Sequence, residues 1–118
     1  MSKTHSNLES FRYAFSGLKA ALKNEPNIRI HLGIALLATV AAYFLRFTST
    51  EWIILAFTIA FVLILELINT TLESLVNLVS PERRDEARFA KNVSAAAVLV
   101  GALLSVVVGA ILFLPKVL

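Results

Sequence analysis

The sequence of 118 residues contains no cysteine. Disulfide frameworks, thiolate metal sites and cysteine nucleophiles are therefore excluded. Charge is also scarce, at 16% of residues against 58% hydrophobic, a balance too apolar for an ordinary soluble domain. Only four glycines and three prolines occur, and no repeat or low-complexity linker divides the chain, so a single domain, residues 1–118, is expected. There is no GxxxxGK[ST] phosphate loop, no glycine-rich kinase loop and no HRD motif. His5 and His31 stand apart, which argues against zinc, and no Ser/His/Asp arrangement is suggested. The opening MSKTHSNLES lacks the apolar core and small-residue cleavage site of a secretory signal, so no cleavage is expected.

Long apolar runs are what the chain does have. A bilayer core about 30 Å thick takes roughly 20 helical residues to cross. Three such spans are expected, at about 28–47, 52–79 and 93–114. The first is flanked by Arg29 and His31 at one end and Arg46 at the other, where long side chains reach headgroups. His31 reads as a headgroup contact. The second opens at Trp52, a suitable interfacial anchor, and the third carries no charge. Ahead of them, residues 7–24 read as an amphipathic surface helix. At about 100° per residue Phe11, Phe15, Leu18 and Leu22 share one arc, beside a stripe of Arg12, Ser16, Lys19 and Lys23.

Five Lys or Arg lie in residues 1–29 and four between Ser80 and Asn92, against Arg46 and Lys116 on the opposite flanks. The positive-inside rule then puts the amino terminus and the 80–92 loop in the cytoplasm. Anionic lipid headgroups and nucleotide phosphates suit these charges better than nucleic acid does. In that loop Ser80 and Pro81 fit an N-cap and first turn. In the third span Ala97, Gly101, Ser105 and Gly109 recur four apart, a ridge on which another backbone can approach closely.

The chemistry is concentrated in the second span. With Glu66 at 0° on a helical wheel, Asn69 falls at about −60°, Glu73 at about −20°, Asn77 at about +20° and Thr70 at about +40°. Leu65, Leu67, Ile68, Leu72, Leu75 and Val76 occupy the opposite face. A single polar residue would suit helix-to-helix hydrogen bonding. Two glutamates about 10 Å apart along the axis repel when both are ionised, so a cation, or two different tasks, is the better account. Mg²⁺ prefers carboxylate oxygens and completes its shell with water and phosphate. Glu73 is placed to meet a nucleotide and the deeper Glu66 to meet a lipid hydroxyl.

The stretch ELINTTLESLVNLVSPE from Glu66's turn, followed by AKNVSAAAVL, resembles the ExxNTAIExxVD and AKDxxAAAVL signatures of the small prokaryotic diacylglycerol kinase family. The resemblance continues through FRYAFSGLKAALKNEPNIRIHLG and the EW before the second span, and the spelling RYAFSGL and NIRIHLG looks closer to the undecaprenol kinase branch. It implies an all-α membrane protein, an amphipathic amino-terminal surface helix plus three transmembrane helices, assembled as a homotrimer in the bacterial plasma membrane with active sites shared between protomers. It implies a lipid kinase using ATP and Mg²⁺, with undecaprenol ahead of diacylglycerol as acceptor.

Carried over by position, Glu66 is implied as general base, and Glu25 and Glu73 as metal and nucleotide carboxylates. Asn69 is a polar partner, Lys91 a phosphate contact and Tyr13 a nucleotide contact, while Glu82 and Arg83 belong to the nucleotide-facing loop. Asn92, beside Lys91, and Asn77 stand where the family usually has Asp. Amides keep hydrogen-bonding size but lose the charge. A second reading follows from Asn92: a weakly active or noncatalytic helix-packing protein of the same fold. A third, an ion-conducting oligomer, gives the basic loop no role.

Overall fold

A computed structural model describes residues 6–82 and 84–118. Its four helices are α1 (Asn7–Asn24), α2 (Pro26–Phe44), α3 (Ser49–Val79) and α4 (Asp85–Val117). No strand occurs among the described residues. The last three helices, of 19, 31 and 33 residues, are each long and apolar enough to cross a membrane. At 1.5 Å per residue α3 is about 46 Å long, well beyond a bilayer core of about 30 Å. α3 is thus longer than an upright crossing needs, and its polar half, Glu66 to Asn77, lies toward its carboxyl end.

The local chemistry fixes each boundary. Ser6 caps α1 by accepting from the Glu9 N–H at 3.3 Å. Pro26 opens α2, where its missing N–H costs nothing. Thr48 and Glu51 form a reciprocal capping box at the start of α3, with distances of 3.2 and 2.9 Å. The short α2–α3 turn is closed by Arg46 at φ 58°, a left-handed conformation uncommon for a residue with a Cβ.

The loop between α3 and α4 differs from the expectation that Ser80 and Pro81 begin a helix. Ser80 ends α3, its N–H donating to Val76 O at 2.8 Å, and α4 begins only at Asp85 after an extended Arg84. A proline disfavours helical geometry in the residue before it, so Pro81 acts as a stop for α3. Asp85 and Glu86 then occupy the first turn of α4, where the helix dipole favours negative charge.

The helices run antiparallel in chain order, so residues 25–31, 66–79 and 85–94 gather at one end, here called the basic end. The other end is closed by Ala42, Phe47, Leu55 and Leu112, with Trp52 and Phe113 packed alongside. Lys116 reaches Glu51 at 3.0 Å across this end and lies 5.7 Å above the Phe47 ring. Gly101 of the small-residue ridge is buried, and a Cβ there would collide with the Leu65 side chain. Farther along the ridge nothing lies within 4 Å of an added Cβ at Gly109. α3 and α4 thus approach closely at Gly101, and near Gly109 a cavity adjoins the ridge.

Candidate active site

Glu66 is 3% exposed, the one buried carboxylate among the described residues. Its side chain leaves α3 toward α2, where His31 Nε2 lies 3.1 Å from Oε1. That separation is within ion-pair reach, yet the ring N–H is not aligned on the oxygen, and Oε1 has no hydrogen bond. Both observations hold together: distance brings the groups into contact and angle leaves the acceptor unsatisfied. The sequence reading of His31 as a headgroup contact missed this pairing. The signal was indirect, because α3 overhangs the start of α2 and so brings a residue deep in α3 level with the second turn of α2.

One to two turns along α3, toward the basic end, a chain of hydrogen bonds joins α3 to α4. The Ser94 hydroxyl donates to Asn69 Oδ1 at 2.6 Å, and Asn69 Nδ2 donates to Glu73 Oε1 at 3.3 Å. Ser94 is buried and Glu73 half-buried. An asparagine amide has two distinguishable ends, so a hydroxyl fixing the carbonyl end turns the N–H₂ end toward Glu73. Ser94 was not singled out from the sequence. Its position three residues past Lys91, on a neighbouring arc of the same helix, was the available signal. Farther out, Lys91 Nζ donates to Asn77 Oδ1 at 2.5 Å, so the departure from Asp at that position leaves a neutral partner for the lysine. The stripe of Glu66, Asn69, Glu73 and Asn77 therefore faces the neighbouring helices α2 and α4.

Two cavities adjoin this line of groups. The first, about 240 Å³, lies between α2, α3 and α4 and is walled by apolar side chains such as Ala35, Ala38, Ile59 and Val62, with His31 also in its lining. The second, about 570 Å³, is polar and sits at the basic end, lined by Asn77, Ser80, Glu82, Arg84, Arg88 and Lys91. Arg84 and Arg88 were not among the sequence candidates, although their position in a basic loop was visible. Glu82 is exposed and pairs with Arg84 at 3.4 Å. Arg83 lies outside the described residues.

The remaining candidates lie on α1, at the α1–α2 junction and on α4. Tyr13 is on α1, 53% exposed. Glu25 is half-buried at the junction of α1 and α2, serving both as C-cap and N-cap. Arg29 ties that junction together by donating from Nη1 to Leu22 O and Lys23 O at 2.8 and 2.9 Å. Asn92 is exposed on α4, next to Lys91. Among the described residues no three His, Cys, Asp or Glu side chains converge to hold a metal ion unaided.

The model of the prokaryotic diacylglycerol kinase family matches residues 12–113. The chain belongs to that family. A diacylglycerol kinase of Synechocystis sp. is 41% identical over 112 residues, covering 94% of this chain. This chain spans 64% of that longer relative. An undecaprenol kinase of Bacillus subtilis is 32% identical over 120 residues, with 98% of each chain covered. A diacylglycerol kinase of Escherichia coli is 31% identical over 100 residues, covering 85% of this chain and 82% of the relative. Membership makes this chain a lipid kinase by class, and the match includes Glu66, Asn69, Glu73 and Lys91 within its bounds.

Proposed function

We propose that this lipid kinase transfers the γ-phosphoryl group of ATP to the hydroxyl of a membrane lipid alcohol, with undecaprenol preferred to diacylglycerol. The observation that carries the reading is the buried Glu66 between an apolar cavity and a polar, arginine- and lysine-lined one. An alcohol with its chain in the first and a polyphosphate in the second would meet along the α3 stripe. Glu66 takes the hydroxyl proton as the hydroxyl oxygen bonds to phosphorus. The bond from phosphorus to the bridging oxygen breaks, and ADP leaves with that electron pair. Phosphoryl transfer asks for position and charge neutralisation more than for covalent help. Lys91, with Arg84 and Arg88 beside it, provides positive charge for the nucleotide phosphates.

Mg²⁺ fits the donor set. It is commonly held by one or two carboxylates, with phosphates and water completing the shell, so a protein cage is not required. Glu73, oriented by Asn69, would hold it together with Glu25. When bound, the ion neutralises charge on the phosphates. Glu25 and Glu73 come from different helices, and a homotrimer with sites shared between protomers is part of this proposal. So is the orientation, with the amino terminus and the 80–92 loop in the cytoplasm, as the basic flanks favour.

The preference for undecaprenol rests on the spelling RYAFSGL and NIRIHLG. A cavity of about 150 Å³ accommodates one benzene ring. At about 240 Å³ the first cavity has room for a segment of a lipid chain. Offering undecaprenol and diacylglycerol together in mixed micelles with labelled ATP and Mg²⁺ tests this directly. Labelled undecaprenyl phosphate in excess is expected. Equal or greater phosphatidic acid would reverse the preference, and no lipid product would reject the proposed reaction.

A second reading, a weakly active protein of the same fold, is favoured by the exposed amide at Asn92. Asn92→Asp distinguishes the two. Unchanged turnover supports a competent enzyme, and a rise from near zero identifies the present chain as impaired.

A further inference from the structure

Glu66 lacks a hydrogen bond that a buried carboxylate needs. Its Oε1 is buried without an aligned donor, and leaving a buried acceptor unsatisfied is destabilising. The donors nearby are mostly committed elsewhere. Thr70 Oγ1 donates to the Glu66 backbone carbonyl at 3.0 Å. Thr58 and Ser105, the other polar side chains lining the apolar cavity, donate to Ile54 O and Ala102 O on their own helices, each at 2.7 Å. Arg29 is spent on the α1 carbonyls. His31 remains, with Nε2 at 3.1 Å and a side chain 24% exposed in the cavity lining.

We propose that His31 is the positioning residue for Glu66: a small turn of its ring aligns Nε2–H on Oε1 and leaves Oε2 facing the lipid hydroxyl. The inference rests on the lipid kinase reading and on Glu66 as its base. Catalytic hydrogen bonds often reach good alignment only with substrate bound. His31 lines the cavity proposed for the alcohol, so its ring and the substrate share one space. The role requires the tautomer protonated at Nε2.

The test compares His31→Leu with His31→Gln in the full chain in mixed micelles. Leucine keeps the apolar wall and removes the donor, whereas the glutamine amide nitrogen reaches the place of Nε2. His31→Leu is expected to lower kcat by about tenfold or more while the lipid KM stays within about twofold. His31→Gln is expected to keep kcat within about threefold of the parent. Unchanged kcat in His31→Leu, a loss expressed in lipid KM, or glutamine falling as far as leucine would each overturn the proposal. A measurement independent of activity and of His31 substitutions is the ¹⁵N shift of Nε2, read in the parent and in Glu66→Gln. A change between the two supports the bond, and identical shifts oppose it. Active parent enzyme with unaffected His31→Leu rejects only this inference, whereas inactive parent enzyme rejects the reading beneath it.

Discussion

Ser94→Ala removes a single oxygen from α4, yet its effect should appear at a carboxylate on α3. The Ser94 hydroxyl fixes Asn69 Oδ1 at 2.6 Å, and Asn69 Nδ2 in turn addresses Glu73 Oε1. With Ser94 only 7% exposed, water does not readily replace the lost donor. Stranding a partly buried amide carbonyl costs about 1–3 kcal/mol, a range set by desolvation. Released from α4, the amide can rotate its oxygen toward Glu73, setting two acceptors against each other. If about 1.4 kcal/mol of that cost reaches the transition state, kcat falls about tenfold. The assay is the initial rate of lipid phosphate formation at saturating lipid and ATP, titrated with Mg²⁺, alongside thermal unfolding in detergent. Ser94→Thr retains a hydroxyl and should keep most of the activity. Full turnover and an unaltered Mg²⁺ requirement in Ser94→Ala would refute the argument that α4 orients Glu73 through Asn69.

Other outcomes follow from the same geometry. Gly101→Leu should destabilise the fold by about 1–3 kcal/mol through overpacking against Leu65, while Gly109→Ala should be neutral; thermal unfolding of the two in one detergent checks the contrast. Arg29→Ala frees the carbonyls of Leu22 and Lys23 and should make the α1–α2 junction more susceptible to limited proteolysis, with α3 and α4 protected as before. Thr48→Ala breaks the capping box and should lower stability by about 1 kcal/mol without changing kcat, measured by unfolding and by turnover.

Much of the fold follows from composition and period. Long apolar runs forced helices, because backbone groups in hydrocarbon have no water to bond. The wheel placed Glu66, Asn69, Glu73 and Asn77 on one face, and that face meets α2 and α4. What the wheel could not supply was depth between helices. The level of His31 against Glu66 depends on how far α3 overhangs α2, a property of packing and not of either segment. Ser94 was hidden for a related reason: a small hydroxyl among alanines reads as a close-packing residue until its partner across the interface is known. The ridge at Gly101 was legible as small residues, but the cavity near Gly109 was not, since the same spacing suits close contact or a slot. Pro81 was ambiguous because proline both opens helices and stops those before it. Its effect on Ser80 decided the case.

The proposed reaction turns on the buried carboxylate of α3 taking the proton of a lipid alcohol. Its most direct test is lipid phosphate formation by Glu66→Gln, with undecaprenol, ATP and Mg²⁺ at saturation and nucleotide binding measured on the same sample. A kcat lower by about 10²–10⁴ with nucleotide binding intact is expected. Turnover equal to that of the parent enzyme would contradict it.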